Sequence, residues 1–419
     1  MPENNLNVTV RVSKTGINRW LGLMYSQQTN KQFTADGIQF TLLPSGDEPL
    51  KVSASGRSVF TDTVVRFSFI KPAGLFSVEG HGGIRLRLES VITITPDMLM
   101  SAETTLTGHE WIEAPAIQIG ELNFPVESLS NCLIRYYKEN ILDKLDAIIT
   151  EKLRLRDIVE KQILQHATNK LINRKPDIFL NATLNGISSG YLSETGDFIT
   201  LPLVLRLSAL VSDKVLAAVP DSNPTFAWVE APLSEGHQQS EVSLSYEGLA
   251  KTIKTALQDR EIGGKKFEVS EASVRFTSRL EIKIRLEEPI RGTLTITCLP
   301  RIEHESQELF LDEMAIDVNA DNFLYKLSSP IIENVISSKI REISPLQLES
   351  LTRPYLEKIP ESTLFDGLIK VTPKVDKVII DSLKFGQFQV TAGLSAFNTG
   401  VEIVVNGLPE YLAESIEMS

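Results

Sequence analysis

Hydrophobic and polar residues alternate along extended parts of the chain. The clearest stretch runs from Val274 to Leu286, where apolar residues at almost every second position are separated by charged ones. The stretch from Ile84 to Ile94 alternates in a similar way. A period of two residues is typical of an antiparallel strand with one buried and one solvated face. At ~3.3 Å per residue, one strand over the first stretch would span roughly 43 Å, so long one-sided strands are predicted.

A second period, of three and four residues, marks two pairs of predicted helices. The first helix runs from Ser130 to Leu153, and Asp157 begins another that continues towards Leu171. The later pair covers 324–340 and a helix that begins at Ser344, which a proline follows. Because a one-sided sheet must cover its apolar face, we expect a long helix to pack inside each curled sheet.

The order of these elements occurs twice. Ser13-Lys14-Thr15-Gly16-Ile17 recurs as Ser245-Tyr246-Glu247-Gly248-Leu249, each time between a short alternating strand and a short helical segment. Closing hairpins are predicted over Ile178–Leu210 and Leu368–Val405, with Gly196 at the place of Gly386. Self-similarity of this kind indicates two related units.

We therefore predict a first repeat over residues 1–215, a connector over 216–240 and a second repeat over 241–419. The connector contains a proline- and serine-rich stretch, as linkers commonly do. The predicted fold class is α+β: two pseudo-symmetric repeats, each a long curled antiparallel sheet wrapped around a long helix, in an elongated molecule.

Charge and cysteine content narrow the class of protein. The formal net charge of −12 argues against a nucleic-acid partner and against electrostatic docking on an anionic membrane. The only cysteines, Cys132 and Cys298, suggest neither a disulfide framework nor a zinc site. Cys298 is in phase with Leu294 and Ile296, which predicts a buried thiol.

The sequence shows neither a signal peptide nor an integral membrane span. A cytoplasmic location is therefore expected. If an export signal was trimmed from the sequence, an exported or periplasmic location is expected instead.

The stretch Gly186-Ile187-Ser188-Ser189-Gly190 formally matches G-x-S-x-G, the turn that presents the catalytic serine of α/β-hydrolases. That turn requires a helix after the serine, whereas this sequence continues as a turn and an extended run that contains Pro202. In the predicted repeat, Ser188 also corresponds to Val378. We therefore interpret the stretch as the polar tip or bend of a hairpin. No catalytic residue is identified, and the protein is predicted not to be an enzyme.

Metal and cofactor sites are not indicated either. The five histidines, at no spacing typical of metal ligands, are His81, His109, His166, His237 and His304. His304 stands between two glutamates, but on the predicted strand it would point away from both. Gly80-His81-Gly82-Gly83 is interpreted as a turn before a strand. We expect no metal ion and no cofactor.

The repeated S-x-x-G-[Ile/Leu] openings at Ser13 and Ser245, the helix from Ser130 and the strand pair Ile178–Leu210 with its Gly196 turn resemble the tubular lipid-binding (TULIP) superfamily. This superfamily includes bactericidal/permeability-increasing protein. More narrowly, the chain resembles an uncharacterised bacterial family of similar two-copy length, with a domain of unknown function. The resemblance implies a curved sheet around a long helix in each half and a groove for acyl chains. The acidic chain departs from the strongly basic antibacterial members, so binding of endotoxin by charge is not implied.

The function expected from these features is non-enzymatic binding or carriage of a lipid or another long apolar ligand in a hydrophobic groove. The residues predicted to line that groove, or alternatively to fill a dry core, are Ile141, Leu145, Ile148, Leu324, Ile331 and Val335. The alternative function is that of a structural or adaptor protein, a rigid elongated scaffold with a protein partner. An open apolar groove would favour the first function, and a filled core with a large exposed patch the second.

Overall fold

The computed structural model of the 419-residue chain describes residues 4–35, 37–44, 50–73, 76–119, 122–125, 134, 142, 146–147, 150, 170–174, 177–215, 223–230, 237–258, 261–262, 265–266, 268–288, 291–321, 345–348, 361–364 and 367–407. Within these ranges the chain is mainly β-structure, with two helices, α1 (Lys14–Gln28) and α2 (Tyr246–Leu257).

The strands of the amino-terminal half are β1 (Asn4–Ser13), β2 (Gln32–Ala35), β3 (Ile38–Leu43), β4 (Lys51–Ser55), β5 (Ser58–Ala73), β6 (Phe76–Ile94), β7 (Met100–Ile119), β8 (Leu122–Pro125), β9 (Lys170–Arg174), β10 (Asp177–Ser189), β11 (Ser193–Thr195), β12 (Phe198–Ser212) and β13 (Thr225–Trp228). Those of the carboxy-terminal half are β14 (His237–Ser245), β15 (Glu261–Ile262), β16 (Lys265–Lys266), β17 (Glu268–Phe276), β18 (Leu280–Glu288), β19 (Gly292–Glu303), β20 (Glu308–Ala320), β21 (Leu346–Gln347), β22 (Ser362–Leu364), β23 (Ile369–Lys374), β24 (Lys377–Phe385), β25 (Gln389–Phe397) and β26 (Gly400–Val405).

A central sheet joins the two halves of the chain by an exchange of strands. β12 begins antiparallel to β1, and its last residues run parallel to β14. The second half mirrors this arrangement, since β25 runs antiparallel to β14 while β26 runs parallel to β1. Between β25 and β26, Asn398 has φ 50°, so the second copy of the long strand is bent where β12 is continuous. Each half therefore closes the sheet of the other.

Both S-x-x-G motifs begin a helix, as the sequence predicts. The Ser13 hydroxyl accepts a hydrogen bond from Gly16 N–H at 3.1 Å, and the Ser245 hydroxyl accepts one from Gly248 N–H at 3.0 Å. Such a bond satisfies one of the backbone donors that a helix start leaves unpaired. Each helix start is also contacted by a residue just past a parallel strand: Asp213 lies against Gly248, and the Asn406 carbonyl lies against Gly16.

The register of the repeat differs by one residue from the predicted one. Ser13 pairs with Phe198, whereas Ser245 pairs with Gln389. Gly196 therefore matches Gln387 rather than Gly386, and only Gly196 of the two glycines has a positive φ, at 60°. The short turn of the second copy leads into β25 one residue later.

The two outer sheets are antiparallel. The first contains β2 to β8, and β5, β6 and β7 form its long central strands. The second contains β17 to β21. The predicted single strand from Val274 to Leu286 is wrong, because the chain bends at 277–279 and forms the β17–β18 hairpin, in which Phe276 pairs with Leu280.

The predicted α+β class is also wrong. α1 and α2 contain 15 and 12 residues, and neither described helix is a long one enclosed by a curled sheet. The alternating stretches instead continue as paired strands through most of the described chain, so that the sheets themselves satisfy the backbone groups. The predicted helices at 130–153, 157–171, 324–340 and from Ser344 lie mostly or wholly outside the described residues. The division into repeats at 215 and 241 stays a prediction; β13 lies within the predicted connector.

Candidate functional site

The apolar face of the seven-stranded sheet is tightly closed around three phenylalanines. Phe40 and Phe67 are fully buried and Phe69 is 1% exposed. The rings of Phe40 and Phe67 meet edge to face at 5.9 Å, and Trp111 packs on Phe67 at 6.2 Å. Leu142, which is 2% exposed, belongs to the same cluster. This aromatic cluster, as described, is a filled core.

Glycines in β6 make room for these rings. A Cβ atom on Gly82 would lie 2.9 Å from Cζ of Phe67 and 3.2 Å from the Glu113 carbonyl oxygen. Gly80, His81 and Gly82 therefore belong to the interior of a strand and not to the predicted turn before it. His81 projects outward and its Nε2 lies 2.8 Å from Glu113 Oε1.

The five-stranded sheet presents a different apolar face. One transverse row crosses four paired strands at Val274, Ile282, Ile296 and Ile316, and all four side chains are only partly buried. We call this row the apolar stripe. The row beside it contains Ile284 and Leu294, which are 2% and 7% exposed. The row on its other side contains Leu280 and Cys298, which are also buried.

Different elements cover the rows that flank the apolar stripe. Ile253 and Leu257 of α2 pack against the Ile284 row. Phe276, at the end of the Leu280 row, stacks on Phe385 of β24 with ring centroids 4.8 Å apart. The stripe thus lies as a partly uncovered apolar band between two covered ones.

The opposite face of this sheet is polar and carries ion pairs. Arg275 Nε lies 2.6 Å from Glu281 Oε1, and Lys283 Nζ lies 3.2 Å from the same oxygen. The hydrogen bond from Arg275 lowers the pKa of the Glu281 carboxyl below its ordinary value. Arg285 pairs with Asp321 at 2.7 Å. The two faces of the sheet therefore differ sharply in polarity, as its alternating sequence predicts.

The six residues predicted to line a groove, Ile141, Leu145, Ile148, Leu324, Ile331 and Val335, lie outside the described residues, so their assignment stays a prediction. The apolar stripe was not predicted as a site, although the alternation that reveals it was recognised. Its signal was incomplete, because alternation shows which residues share a face but not which of them stay uncovered.

The G-x-S-x-G match lies in β10 and the residue after it. Ser188 pairs with Val204 of β12 and with Ala227 of β13. The segment that follows contains β11 and β12, so the helix of a nucleophile elbow is not found there. The buried Ser189 hydroxyl donates to the Gly190 carbonyl at 2.9 Å. The absence of enzymatic activity stays a prediction.

Cysteine and histidine residues show no assembled metal site in the described part of the chain. Cys298 is 1% exposed, and burial raises the pKa of its thiol. His304 lies in the turn between β19 and β20, and not on the predicted strand. Cys132 and His166 lie outside the described residues.

Comparison with known proteins gives the family. The model of the family described as "Domain of unknown function (DUF4403)" matches residues 3–363. The chain belongs to this family. The expectation of a family with a domain of unknown function is thereby confirmed, whereas its placement in the tubular lipid-binding superfamily stays a prediction.

One solved structure, a crystal structure of lipopolysaccharide binding protein, aligns over 97% of this chain and 100% of its own at 10% sequence identity. The TM-score of 0.24 is too low for this likeness to support an argument about fold or ligand. No curated protein matches the chain. Among the described helices, none is long and apolar enough to cross a membrane.

Proposed function

We propose that the DUF4403 protein binds a lipid or another long apolar molecule without catalysing a reaction, and that the apolar stripe receives the ligand. The observation that carries the proposal is the burial pattern of the five-stranded sheet. Four neighbouring β-branched side chains stay partly uncovered between two rows that other elements cover. A packed core would bury all three rows alike.

The dimensions and chemistry of the stripe suit an extended hydrocarbon chain. Four strands at a spacing of about 4.8 Å give the stripe a width of roughly 14 Å across the sheet. The residues paired across it are Val274, Ile282, Ile296 and Ile316, none of which carries a polar side-chain group. The ion pairs of the sheet lie on its opposite face.

Hydrophobic burial would supply the binding energy. Each buried methylene contributes about 0.8 kcal/mol, so part of a long acyl chain is sufficient for binding. The net charge of −12 disfavours attraction of an anionic headgroup by the protein as a whole. Affinity should therefore depend strongly on acyl-chain length and weakly on salt concentration.

The aromatic cluster of the first half is not the proposed site. Phe40, Phe67 and Phe69 are at most 1% exposed, which leaves no apolar surface for a ligand at these rings. This finding moves the proposed groove from the first half, where the sequence placed it, to the described sheet of the second half.

A fluorescent fatty-acid titration tests the proposal with a matched pair of variants. Ile316→Trp places a larger ring on the stripe and should weaken binding by about tenfold, a loss of about 1.4 kcal/mol. Asp317→Trp introduces the same side chain at the next position of β20, on the opposite face, and should bind like the natural protein. Circular dichroism verifies that both variants are folded.

Mass spectrometry of solvent extracts from the natural protein gives an independent readout, because a bound lipid should co-purify. No saturable binding of fatty acids of any chain length, together with extracts free of lipid, would contradict the proposal. Equal loss of binding in the two variants would also remove the stripe from it.

The alternative function, a scaffold with a protein partner, has one observation of its own. Over Met100–Pro115, β7 pairs with β6 alone among the described strands. An unpaired strand edge is a surface on which another chain can add a strand. Size-exclusion chromatography with light scattering would detect self-association through this edge, and a proline at Thr105 should abolish it.

A further inference from the structure

A cleft of about 570 Å³ lies on the seven-stranded sheet, on a different sheet from the apolar stripe. One wall is formed by strands β4, β5 and β6, which contribute Lys51, Phe60 and Arg87. These positions alternate with those of the aromatic cluster, so they lie on the outward face of the sheet. The other wall is formed by Asn18 of α1 and by the turn between β11 and β12. The volume is in the range of small-molecule sites.

The walls of the cleft are held together by specific hydrogen bonds. Glu194 of β11 accepts a bond from Ala54 N–H at 2.8 Å and another from Lys14 Nζ at 3.0 Å. The bond from Lys14 lowers the pKa of the Glu194 carboxyl. Gly56 and Leu192 exchange two backbone hydrogen bonds between the same elements. The cleft is therefore built on paired elements rather than on independent loops.

The carboxylates that line the cleft already have partners. Glu194 bonds Lys14 and Ala54, and Asp197 accepts bonds from the Ser13 and Thr15 hydroxyls at 3.0 and 3.1 Å. Asp62 lies 3.4 Å from Arg85 Nε. These contacts leave little capacity for a cationic ligand.

The cationic side chains are less engaged. Lys51 makes no hydrogen bond or ion pair within the described part of the chain, and Arg87 makes an exposed pair with Glu110 at 3.3 Å. Thr107, which a register shift leaves unpaired in β7, donates its hydroxyl to the Arg87 carbonyl at 3.0 Å and lines the same cleft. Bulges of this kind commonly redirect side chains at binding sites.

One acceptor in the cleft has no partner. Oδ1 of Asn18 is buried and accepts no hydrogen bond from the protein. A buried acceptor without a donor costs about 1–3 kcal/mol, so a ligand that donates to it gains this energy. Phe60, 37% exposed, adds an apolar surface to the opposite wall. The site therefore offers free cations, one free acceptor and one aromatic ring.

We propose that this cleft binds a small molecule in which a phosphate or carboxylate group is joined to a hydroxylated body, such as a sugar phosphate. Lys51 and Arg87 meet the anionic group, and Asn18 accepts a hydrogen bond from a hydroxyl. The proposal does not rest on lipid binding by the apolar stripe, which belongs to another sheet.

Isothermal titration calorimetry with glucose 6-phosphate, glucose and inorganic phosphate tests the proposal. Glucose 6-phosphate should bind more tightly than either of its parts. Lys51→Glu should weaken its binding by about tenfold, because a like charge then faces the phosphate. Lys71→Glu is the matched control, since it makes the same charge change at an exposed position of β5 and should bind normally.

Asn18→Ala separates the two halves of the ligand. It should weaken binding of glucose 6-phosphate but leave binding of inorganic phosphate unchanged, because it removes only the acceptor for a hydroxyl. Flotation with phosphatidylcholine vesicles, with and without phosphatidylinositol, distinguishes a lipid headgroup from a free metabolite as the source of the shared chemistry. No saturable binding of any of these probes, or equal affinity in the natural protein and Lys51→Glu, would overturn the proposal.

Discussion

The side-chain amide of Gln307 binds both backbone polar groups of Ile380. Its Oε1 accepts a hydrogen bond from Ile380 N–H at 2.8 Å, and its Nε2 donates to the Ile380 carbonyl at 3.2 Å. Gln307 lies in the turn between β19 and β20 with φ 52°, and Ile380 lies in β24 at an end of the central sheet. The amide pairs with the strand edge as a residue of a neighbouring strand would. It thereby joins the sheet that carries the apolar stripe to the central sheet.

Gln307→Ala should destabilise the protein by about 1–3 kcal/mol, because it leaves the N–H and the carbonyl of Ile380 without this partner. Urea unfolding followed by circular dichroism measures the effect. Ser306→Ala, in the same turn, removes only an exposed bond to Glu308 and should change stability by less than about 0.5 kcal/mol. Equal effects of the two substitutions would show that the amide does not join the sheets.

The β17–β18 hairpin shows why part of the fold could not be predicted from the sequence. Three residues, 277–279, separate the paired Phe276 and Leu280. An odd number of loop residues leaves the apolar residues of both strands in one unbroken alternation. A hairpin and a single long strand therefore have the same pattern here, although the distribution of apolar residues between the two faces was predicted correctly.

The S-x-x-G motifs, by contrast, could be predicted because the sequence itself determines their local bonds. The spacing from Ser13 to Gly16 places the hydroxyl beside the backbone N–H that it accepts from. Why glycine is required could not be predicted, because the atom that crowds Gly16 belongs to Asn406, at the other end of the chain. The candidate site shares this limit, since the apolar stripe is defined by what fails to cover it.

Gly16→Ala should destabilise the protein by roughly 1–3 kcal/mol, because the new Cβ would overlap the Asn406 carbonyl and force the backbone apart. Gly22→Ala is a control within the same helix. No atom lies within 4 Å of a Cβ at this position, and alanine should stabilise α1 by about 0.5–1 kcal/mol. Thermal unfolding of the two variants should therefore shift in opposite directions. A stabilised Gly16→Ala variant would contradict the close approach of Asn406.

Cys298 should be unreactive in the folded protein. Its thiol is buried, and burial also raises its pKa, so that little thiolate is present at neutral pH. Titration with Ellman's reagent is to be done on Cys132→Ser, which leaves one cysteine. The thiol should react slowly in buffer and at once in denaturant. Rapid reaction in buffer would mean that the row of residues beside the apolar stripe is open to solvent.

The Glu281 carboxylate should make the sheet that carries the stripe sensitive to acid. The hydrogen bond from Arg275 lowers the pKa of Glu281 in the folded protein below its ordinary value of 4.5, and Lys283 adds to this effect. A lowered folded-state pKa means that the stabilisation is complete above pH 4.5 and is lost as the pH falls through the folded-state value. Because the group is close to solvent, the contribution should be about 0.5 kcal/mol.

Glu281→Gln should accordingly lower the free energy of unfolding at neutral pH and make no difference in strong acid, where the natural side chain is protonated too. Glu271→Gln is the matched control, because Glu271 lies exposed on the neighbouring strand and makes no ion pair in the described part of the chain. Its effect should be small at every pH. Urea unfolding across the acidic range separates the two variants. If they lose the same stability at neutral pH, the contacts of Glu281 with Arg275 and Lys283 contribute nothing, and the polar face of the sheet is held by its backbone pairing alone.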